Sequence, residues 1–165
     1  MKAVFSSLFL VSALLAPAAA RAQDSGIEIG KSAPGAAVYT LDGKATDLGK
    51  FIGTKPVLME FWAVWCPNCK ELEPTMRAMN TKYGAKVAFV GVAVSVNQDP
   101  ALAKKYVDKH KLTWNQVYDT KGTATEVYDV PATSYVVLVD KSGKVVYTGV
   151  GGKQDLEKAI QKVIR

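Results

Sequence analysis

The sequence predicts one α/β domain with a central mixed β-sheet flanked by helices. Apolar runs that fit buried strands, at residues 57–62 and 87–94, alternate with segments of helical periodicity. Two further pairs of short strand-like segments are joined by glycine-bearing turns, which indicates hairpins. A length of 165 residues suits a single domain with a real core.

The N-terminus predicts a signal peptide over residues 1–22. Lys2 supplies a positive charge, residues 3–16 are apolar, and Ala20-Arg21-Ala22 fits a cleavage site. An uncleaved N-terminal anchor is the alternative. We therefore expect a domain at residues 23–165 in the periplasm or another extracytoplasmic compartment.

The remaining elements follow in order. Residues 23–35 predict an extended surface segment, and Asp42-Gly43 predicts a tight turn between strands 36–41 and 44–48. A helical turn at 48–52 and strand 57–62 lead into a helix at 66–83, where Gly84 predicts a left-handed end. The later segments are strand 87–94, helix 100–109, strand 117–118, helix 121–128, a hairpin of strands 135–139 and 144–148, and helix 155–164.

Charge and histidine content argue against several kinds of site. The net charge is +6, but the lysines are scattered over predicted helices and turns, which indicates a solvated basic face rather than a nucleic-acid groove. A zinc site normally needs four ligands, and the chain has one histidine. That residue, His110, lies between lysines at a helix end and is predicted to be a helix-capping surface residue. We expect no metal and no cofactor.

The two cysteines of the chain lie where strand 57–62 passes into the next helix. Cys66 falls near the helix N-cap, and Pro67 takes the first helical position. The free N–H groups of a first helical turn stabilise a negative sulfur, so we expect an acidic, exposed Cys66 and a more buried Cys69. A structural disulfide across so short a loop would add little stability. The spacing therefore favours a redox pair.

The residues around this pair resemble the signature of the thioredoxin superfamily. Residues 61–70 read Phe-Trp-Ala-X-Trp-Cys-X-X-Cys-Lys, and Pro74 stands where thioredoxins kink this helix. The resemblance covers residue 30 to the C-terminus. It implies a thioredoxin fold with an N-terminal β-hairpin extension and a βα insertion, most similar to the extracytoplasmic TlpA/ResA branch. That branch usually has a glutamate where this chain has Leu72, whereas Glu60 and Glu73 resemble the acidic pair in the C-terminal domain of DsbD.

Three residues are predicted to carry the chemistry. Cys66 is the candidate nucleophile, and Cys69 is the candidate resolving thiol. Glu60 is the candidate proton acceptor, because apolar neighbours should raise its pKa and because it matches the buried aspartate of thioredoxins. The alternative is that Glu60 faces outward or pairs with a lysine. Glu73 either shares the task or is a solvated helix residue.

Four residues are predicted to bind substrate. Trp65 should form an exposed apolar docking surface beside Cys66 and Pro67, whereas Trp62 and Trp114 fit core or edge packing better. The resemblance identifies Val130-Pro131 with the X-cis-Pro of the superfamily. It implies that Val130 and Pro131 lie against the cysteines and offer backbone groups to the substrate.

The favoured interpretation is an exported thiol:disulfide oxidoreductase that reduces the disulfides of other proteins. Asn68 lacks the positive charge with which a histidine would stabilise a thiolate, which predicts a reducing potential. An oxidase or isomerase, or a copper chaperone with two thiolate ligands, is the alternative. The resemblance implies disulfide-containing extracytoplasmic substrates, such as those of cytochrome c biogenesis, and a membrane thiol donor similar to DsbD or CcdA. We expect a monomer.

Overall fold

The computed structural model describes residues 26–164. The predicted signal peptide lies outside the described residues. The strands are β1 (Ala37–Thr40), β2 (Ala45–Asp47), β3 (Val57–Trp62), β4 (Ala88–Val94), β5 (Asn115–Asp119), β6 (Tyr135–Val139) and β7 (Val145–Val150). The helices are α1 (Pro67–Tyr83), α2 (Pro100–His110), α3 (Thr123–Val127) and α4 (Leu156–Gln161), and a 3₁₀ turn spans Leu48–Phe51. Between residues 26 and 164, no helix combines the length and the apolar character that crossing a membrane requires.

The strands form one mixed sheet in the order β2-β1-β5-β4-β3-β6-β7. The central strands β3, β4 and β5 run parallel, and β6 and β7 complete one side in antiparallel orientation. The hairpin β1–β2 joins the other side through β5. This arrangement confirms the predicted mixed sheet, its N-terminal hairpin extension and the additional βα unit, which is β5 with α3.

Strand β3 lies at the centre, and all six of its residues are buried. Met59 and Phe61 belong to the core cluster that contains Tyr128, whereas Leu58 packs in a second cluster with Leu72 and Met76 of α1. A strand covered on both faces can be apolar throughout, which explains why the sequence here shows no alternation.

Helix α1 ends as predicted at Gly84, but the reason differs. Gly84 has φ −58° and ψ −24°, so it is right-handed and the expected left-handed end is wrong. A Cβ atom at this position would lie 2.6 Å from the carbonyl oxygen of Asn80. The glycine is therefore needed for close backbone approach rather than for its freedom in φ.

The first described residues are tied to the segment that precedes β6. The N–H of Gly26 donates to Asp129 Oδ2 at 3.1 Å, and the N–H of Ile27 donates to the carbonyl oxygen of Tyr128 at 3.0 Å. The Tyr128 hydroxyl in turn donates to the carbonyl oxygen of Pro34 at 2.7 Å. The N-terminal segment thus leads into the domain beside the loop that joins α3 to β6.

Candidate active site

The cysteine pair lies at the end of the sheet where β3 passes into α1. Cys66 is the N-cap of α1 with extended backbone angles, and Pro67 begins the helix. The two sulfurs form a disulfide whose Cα atoms are 5.3 Å apart. Cys66 Sγ also accepts a hydrogen bond from the N–H of Cys69 at 3.0 Å. This contact gives a thiolate at Cys66 a backbone donor at a helix N-terminus, where negative charge is favoured.

The expected difference in exposure between the two cysteines is wrong for this disulfide form. Cys66 is 2% exposed and Cys69 is 7% exposed, so both are buried. The sulfur of Cys66 lies over the first turn of α1, where it is bonded to the sulfur of Cys69 and accepts a hydrogen bond from the N–H of Cys69. Asymmetry between the two sulfurs in this form therefore comes from hydrogen bonding and not from burial.

Trp65 provides the predicted exposed surface next to the nucleophile. Its side chain is 42% exposed, whereas Trp62 is buried, as predicted. The indole Nε1 of Trp65 donates to the carbonyl oxygen of Val96 at 2.8 Å, and Val96 is itself an exposed apolar residue after β4. Gln98 Oε1 accepts from the N–H of Val64 at 2.9 Å and fixes the same two loops together. Val96 was not identified from sequence because its relation to Trp65 depends on the pairing of β3 with β4.

Glu60 points into the protein and not outward. It is 5% exposed, lies opposite Gly91 of β4 and Val136 of β6, and makes no salt bridge among residues 26–164. Burial raises the pKa of Glu60, and the nearby negative charge of Glu73 raises it further, to about 8. This environment confirms the buried reading over the lysine-paired one. It leaves the carboxyl group protonated at neutral pH in the disulfide form.

Glu73 is neither free nor simply solvated. Its carboxylate accepts hydrogen bonds from Arg77 Nε at 3.1 Å and from the Tyr106 hydroxyl at 2.9 Å, and it lies 3.1 Å from His110 Nδ1. Burial raises the pKa of Glu73, but these hydrogen bonds and the charge of His110 outweigh it and hold the pKa below its ordinary value. Glu73 is thus a fixed negative charge that acts on Glu60.

His110 is not the helix-capping surface residue that the sequence predicts. Its ring stacks on Tyr106 with centroids 3.8 Å apart and faces Glu73. The contact joins α2 to α1 across 37 residues, a separation at which sequence spacing gives no signal. The only available hint was that Tyr106 and His110, four residues apart, share a helix face.

A small cavity of about 20 Å³ brings Glu60 and Cys69 together. The residues that line it come from β3, α1, α2, β5 and the segment before β5. They are Glu60, Trp62, Cys69, Glu73, Tyr106, Leu112, Trp114 and Gln116. Trp114 is buried, as predicted, but it also lines this site, and Gln116 was not identified from sequence. Proton exchange between Cys69 and Glu60 is therefore sterically reasonable, either directly or through one intervening group.

The segment containing Val130 and Pro131 lies at the same end of the sheet but has another conformation than expected. No peptide bond among residues 26–164 is cis, so the expected cis bond before Pro131 is wrong. A trans X-Pro bond is intrinsically favoured, and the chain makes its turns here at Asp129 and Ser134, which both have positive φ. The N–H of Ser134 donates to the carbonyl oxygen of Phe61 at 2.8 Å. Val130 is half-buried and Pro131 is exposed near the end of β3.

Within residues 26–164, no group of three or more histidine, cysteine, aspartate or glutamate side chains is arranged to hold a metal ion. Cys66 and Cys69 could offer two thiolates to a soft ion after reduction of their disulfide.

The chain is similar to a family of redox proteins and to several thiol-disulfide oxidoreductases. The Redoxin family matches residues 28–164. The thiol-disulfide oxidoreductase ResA of Bacillus thuringiensis subsp. konkukian is 31% identical over 86% of this chain and 82% of its own. The thioredoxin domain of a thiol-disulfide oxidoreductase from Bacteroides vulgatus has a TM-score of 0.73 and 25% identity over 84% of this chain and 99% of its own. A thiol:disulfide interchange protein from a Bacteroides species has a TM-score of 0.71 and 26% identity over 84% of this chain and 91% of its own.

Proposed function

Because the chain belongs to the Redoxin family and is a thiol-disulfide oxidoreductase that acts on disulfide-containing proteins, we propose that it is an exported reductase with Cys66 as nucleophile. Cys69 is the resolving thiol, and Glu60 takes its proton. The observation that carries this assignment is the Cys66–Cys69 disulfide at the start of α1, with the buried Glu60 lining the same cavity as Cys69.

The reaction begins with attack of the Cys66 thiolate on a substrate disulfide. A Cys66–substrate S–S bond forms, and the first substrate thiolate leaves with the electron pair of the broken bond. Glu60 then accepts the proton of the Cys69 thiol, and the resulting thiolate attacks Cys66 Sγ. The second substrate thiolate leaves, and both leaving groups take protons from solvent. The substrate is reduced by two electrons, and the enzyme disulfide is the oxidised product.

The pKa of Glu60 allows the same proton to be used again. Since that pKa is about 8 in the disulfide form, Glu60 retains the proton at neutral pH. When an external dithiol reduces the enzyme, Cys69 leaves as a thiolate and recovers its proton from Glu60. The buried carboxyl therefore holds the proton between two half-reactions.

The environment of Cys66 supports a role as an electron donor to substrate disulfides. Among the described residues, its sulfur accepts one hydrogen bond, from the N–H of Cys69, and no basic side chain donates to it. Asn68 is exposed and uncharged at neutral pH. Weak stabilisation of the thiolate disfavours the reduced enzyme, which makes it a better electron donor. We expect a potential well below the value of about −120 mV that characterises the strong oxidant DsbA.

The remaining parts of the proposal concern the compartment, the substrate contacts and the electron donor. A signal peptide at residues 1–22 would deliver the domain to an extracytoplasmic compartment, where disulfides form. Trp65, Pro67, Val130 and Pro131 would contact the substrate chain, and the enzyme would act as a monomer. A DsbD- or CcdA-like membrane thiol donor would supply its electrons.

Trapping of substrates tests the assignment of the two cysteines. A Cys69→Ser variant should accumulate mixed disulfides on Cys66 because the resolving thiol is missing. The matched Cys66→Ser variant should accumulate none. Conjugates that form on Cys69 but not on Cys66 would reverse the roles.

The reduction potential of the Cys66–Cys69 disulfide, measured against glutathione, tests whether the protein acts as a reductase. A value as high as that of DsbA would assign the protein as an oxidase. Tight Cu(I) binding by the reduced protein in competition with a chelator, with no acceleration of the dithiothreitol-driven reduction of insulin, would assign a copper chaperone instead.

A further inference from the structure

Three buried polar atoms around the active-site cavity have no hydrogen-bond partner within residues 26–164. They are Glu60 Oε1, Trp114 Nε1 and Gln116 Nε2, and all three residues line the cavity of about 20 Å³ described above. Buried polar groups in folded proteins are nearly always hydrogen-bonded, and each unpaired one is costly. Three such atoms around one cavity therefore point to a polar ligand there.

The orientation of Gln116 is fixed by its neighbours. Its Oε1 accepts a hydrogen bond from Trp62 Nε1 at 3.2 Å, which leaves the amide nitrogen for another partner. Gly91 lies beside Gln116 and opposite Glu60 in the sheet, and a Cβ at Gly91 would collide with Gln116 Oε1. The glycine thus allows the Gln116 amide to lie across β4 towards the cavity. The pairing of β4 with β5 therefore positions the Nε2 donor there.

Size and charge identify the ligand. A cavity must offer roughly 10–15 Å³ to hold one water molecule, so about 20 Å³ is enough for one water. Two N–H donors would repel a cation, and the ionised carboxylate of Glu73 nearby would repel an anion. Water matches the set because it can accept two hydrogen bonds and donate two.

We propose that this cavity is a binding site for one water molecule, which accepts hydrogen bonds from Trp114 and Gln116 and donates to Glu60 Oε1 and to the sulfur of Cys69. Its effect on Cys69 rests on the proposed function, in which this thiol is the resolving one. Trp114 and Gln116 are then positioning residues. They act through the water, and within residues 26–164 neither Trp114 Nε1 nor Gln116 Nε2 donates a hydrogen bond to a sulfur.

The water has a defined role at the resolving step. Cys69 must become an anion among apolar side chains, which disfavour charge. A hydrogen bond from the water stabilises that thiolate. The two N–H donors on the water oxygen polarise the molecule and strengthen the bonds that it donates. No covalent bond of the water is broken in this role.

The site itself can be tested without catalysis. In the oxidised wild-type protein, we expect a crystal structure at high resolution to show one water within hydrogen-bond distance of Trp114 Nε1, Gln116 Nε2 and Glu60 Oε1. Nuclear Overhauser contacts between the Trp114 indole N–H and a long-lived water should agree. An empty cavity, or side chains rearranged to bond one another, would overturn the proposal.

The role can be tested with a Trp114→Phe variant, which keeps an aromatic ring but removes the donor. We expect the decay of a preformed mixed disulfide on Cys66 to slow by about three- to tenfold, with the initial attack of Cys66 changed less than twofold. Tyr128→Phe, which loses a buried hydroxyl in the other core cluster, is the matched control and should leave both rates unchanged. Equal slowing of both steps would indicate a structural effect only and would contradict the proposal.

Two further variants keep the test decisive. Gln116→Met preserves side-chain length without the N–H donor and should reproduce the slowing if Trp114→Phe does not fold. Glu60→Gln tests the proposed function separately. If Glu60→Gln slows resolution but neither donor variant does, the water proposal fails and the role of Glu60 stands. If Glu60→Gln has no effect while the water is observed, the role of Glu60 fails instead.

Discussion

Glu60 is a buried carboxyl that lines the same cavity as Cys69, and its surroundings determine its protonation. The carboxyl has no ion-pair partner among the described residues, and Glu73 adds a negative charge nearby, so both burial and charge favour the protonated form. A carboxyl with this pKa can accept a proton from a thiol, whose ordinary pKa of about 8.5 is similar. The similarity of these two pKa values supports the role that we propose for Glu60 from the cavity that it shares with Cys69.

Replacement of this carboxyl should affect one step only. For Glu60→Gln, we expect the resolving step to slow by about 100-fold, the lower end for loss of a general base, because the amide cannot take the proton of Cys69. Attack by Cys66 should be nearly unchanged. Stopped-flow measurement of formation and decay of a mixed disulfide separates the two steps. Glu71→Gln, on the exposed side of α1, is the control, and equal rates in both variants would contradict the assignment.

Trp65 should matter for protein substrates more than for small ones. Trp65→Ala removes the exposed ring next to Cys66 and its hydrogen bond to Val96. We expect KM for a protein disulfide to rise several-fold, since a buried aromatic contact at an interface contributes about 1–2 kcal/mol or more. Reaction with a small aromatic disulfide should change little. Trp65→Phe retains an aromatic ring without the N–H, and its KM for the protein disulfide should lie between those of the wild type and Trp65→Ala. A similar loss of activity with the protein and the small disulfide would argue against a docking role for Trp65.

At the scale of elements, strand β4 shapes the site although it contributes no reactive group. Its register places Gly91 between Glu60 on one side and Gln116 on the other. The missing side chain leaves the space in which Gln116 meets Trp62 Nε1. A parallel strand can therefore carry one glycine without loss of function, even though glycine is unfavourable in a strand interior.

This account predicts the effect of filling that space. In Gly91→Ala, the new methyl group would displace the Gln116 amide, and we expect a loss of about 1–3 kcal/mol in the free energy of unfolding. Urea denaturation measures it. The double variant Gly91→Ala/Gln116→Ala removes the side chain nearest to the new methyl group, although Trp62 Nε1 stays 2.9 Å from it, and should lose less than the sum of the two single variants. A stable single variant would show that the amide has room elsewhere.

Elements and reactive groups differed in how well the sequence predicted them. Strand 57–62 and the helix after Cys66 were found correctly because local apolar patterns and a helix-start proline determine them. The pairing of Glu73 with His110 was missed because it joins helices 37 residues apart. The burial of Cys66 depends on tertiary contacts, which a local pattern does not indicate. The wrong expectation of a cis bond at Pro131 came from the family resemblance, against the intrinsic preference for trans.

At the scale of the whole molecule, the pKa of Glu60 makes folding stability depend on pH. In the unfolded chain this carboxyl ionises near its ordinary pKa of 4.5, whereas the folded disulfide form holds the proton up to about pH 8. Between these values the folded state binds more protons, so a rise in pH favours the unfolded state. Each pKa unit corresponds to about 1.4 kcal/mol, which makes the total effect several kcal/mol.

The expected result is a fall in the free energy of unfolding of the oxidised protein as pH rises from 5 to about 8, followed by a plateau in this contribution. Glu60→Gln carries no ionisable group at this position and should be the more stable protein at pH 8. Chemical denaturation of both proteins across this range isolates the contribution of Glu60 as their difference. A difference that does not vary with pH would show that the carboxyl is already ionised in the folded protein.

The bond between Gly26 and Asp129 has a consequence for how the enzyme is presented to its partners. Asp129 directly precedes Val130 and Pro131, so the chain enters the domain beside its reactive end. Only residues 23–25 separate Gly26 from the predicted leader at residues 1–22, and three residues span about 10 Å at full extension. Retention of the leader as an anchor would hold this face against the bilayer, within reach of a membrane-embedded donor. Removal of the leader would free the same face to meet proteins dissolved in the surrounding compartment.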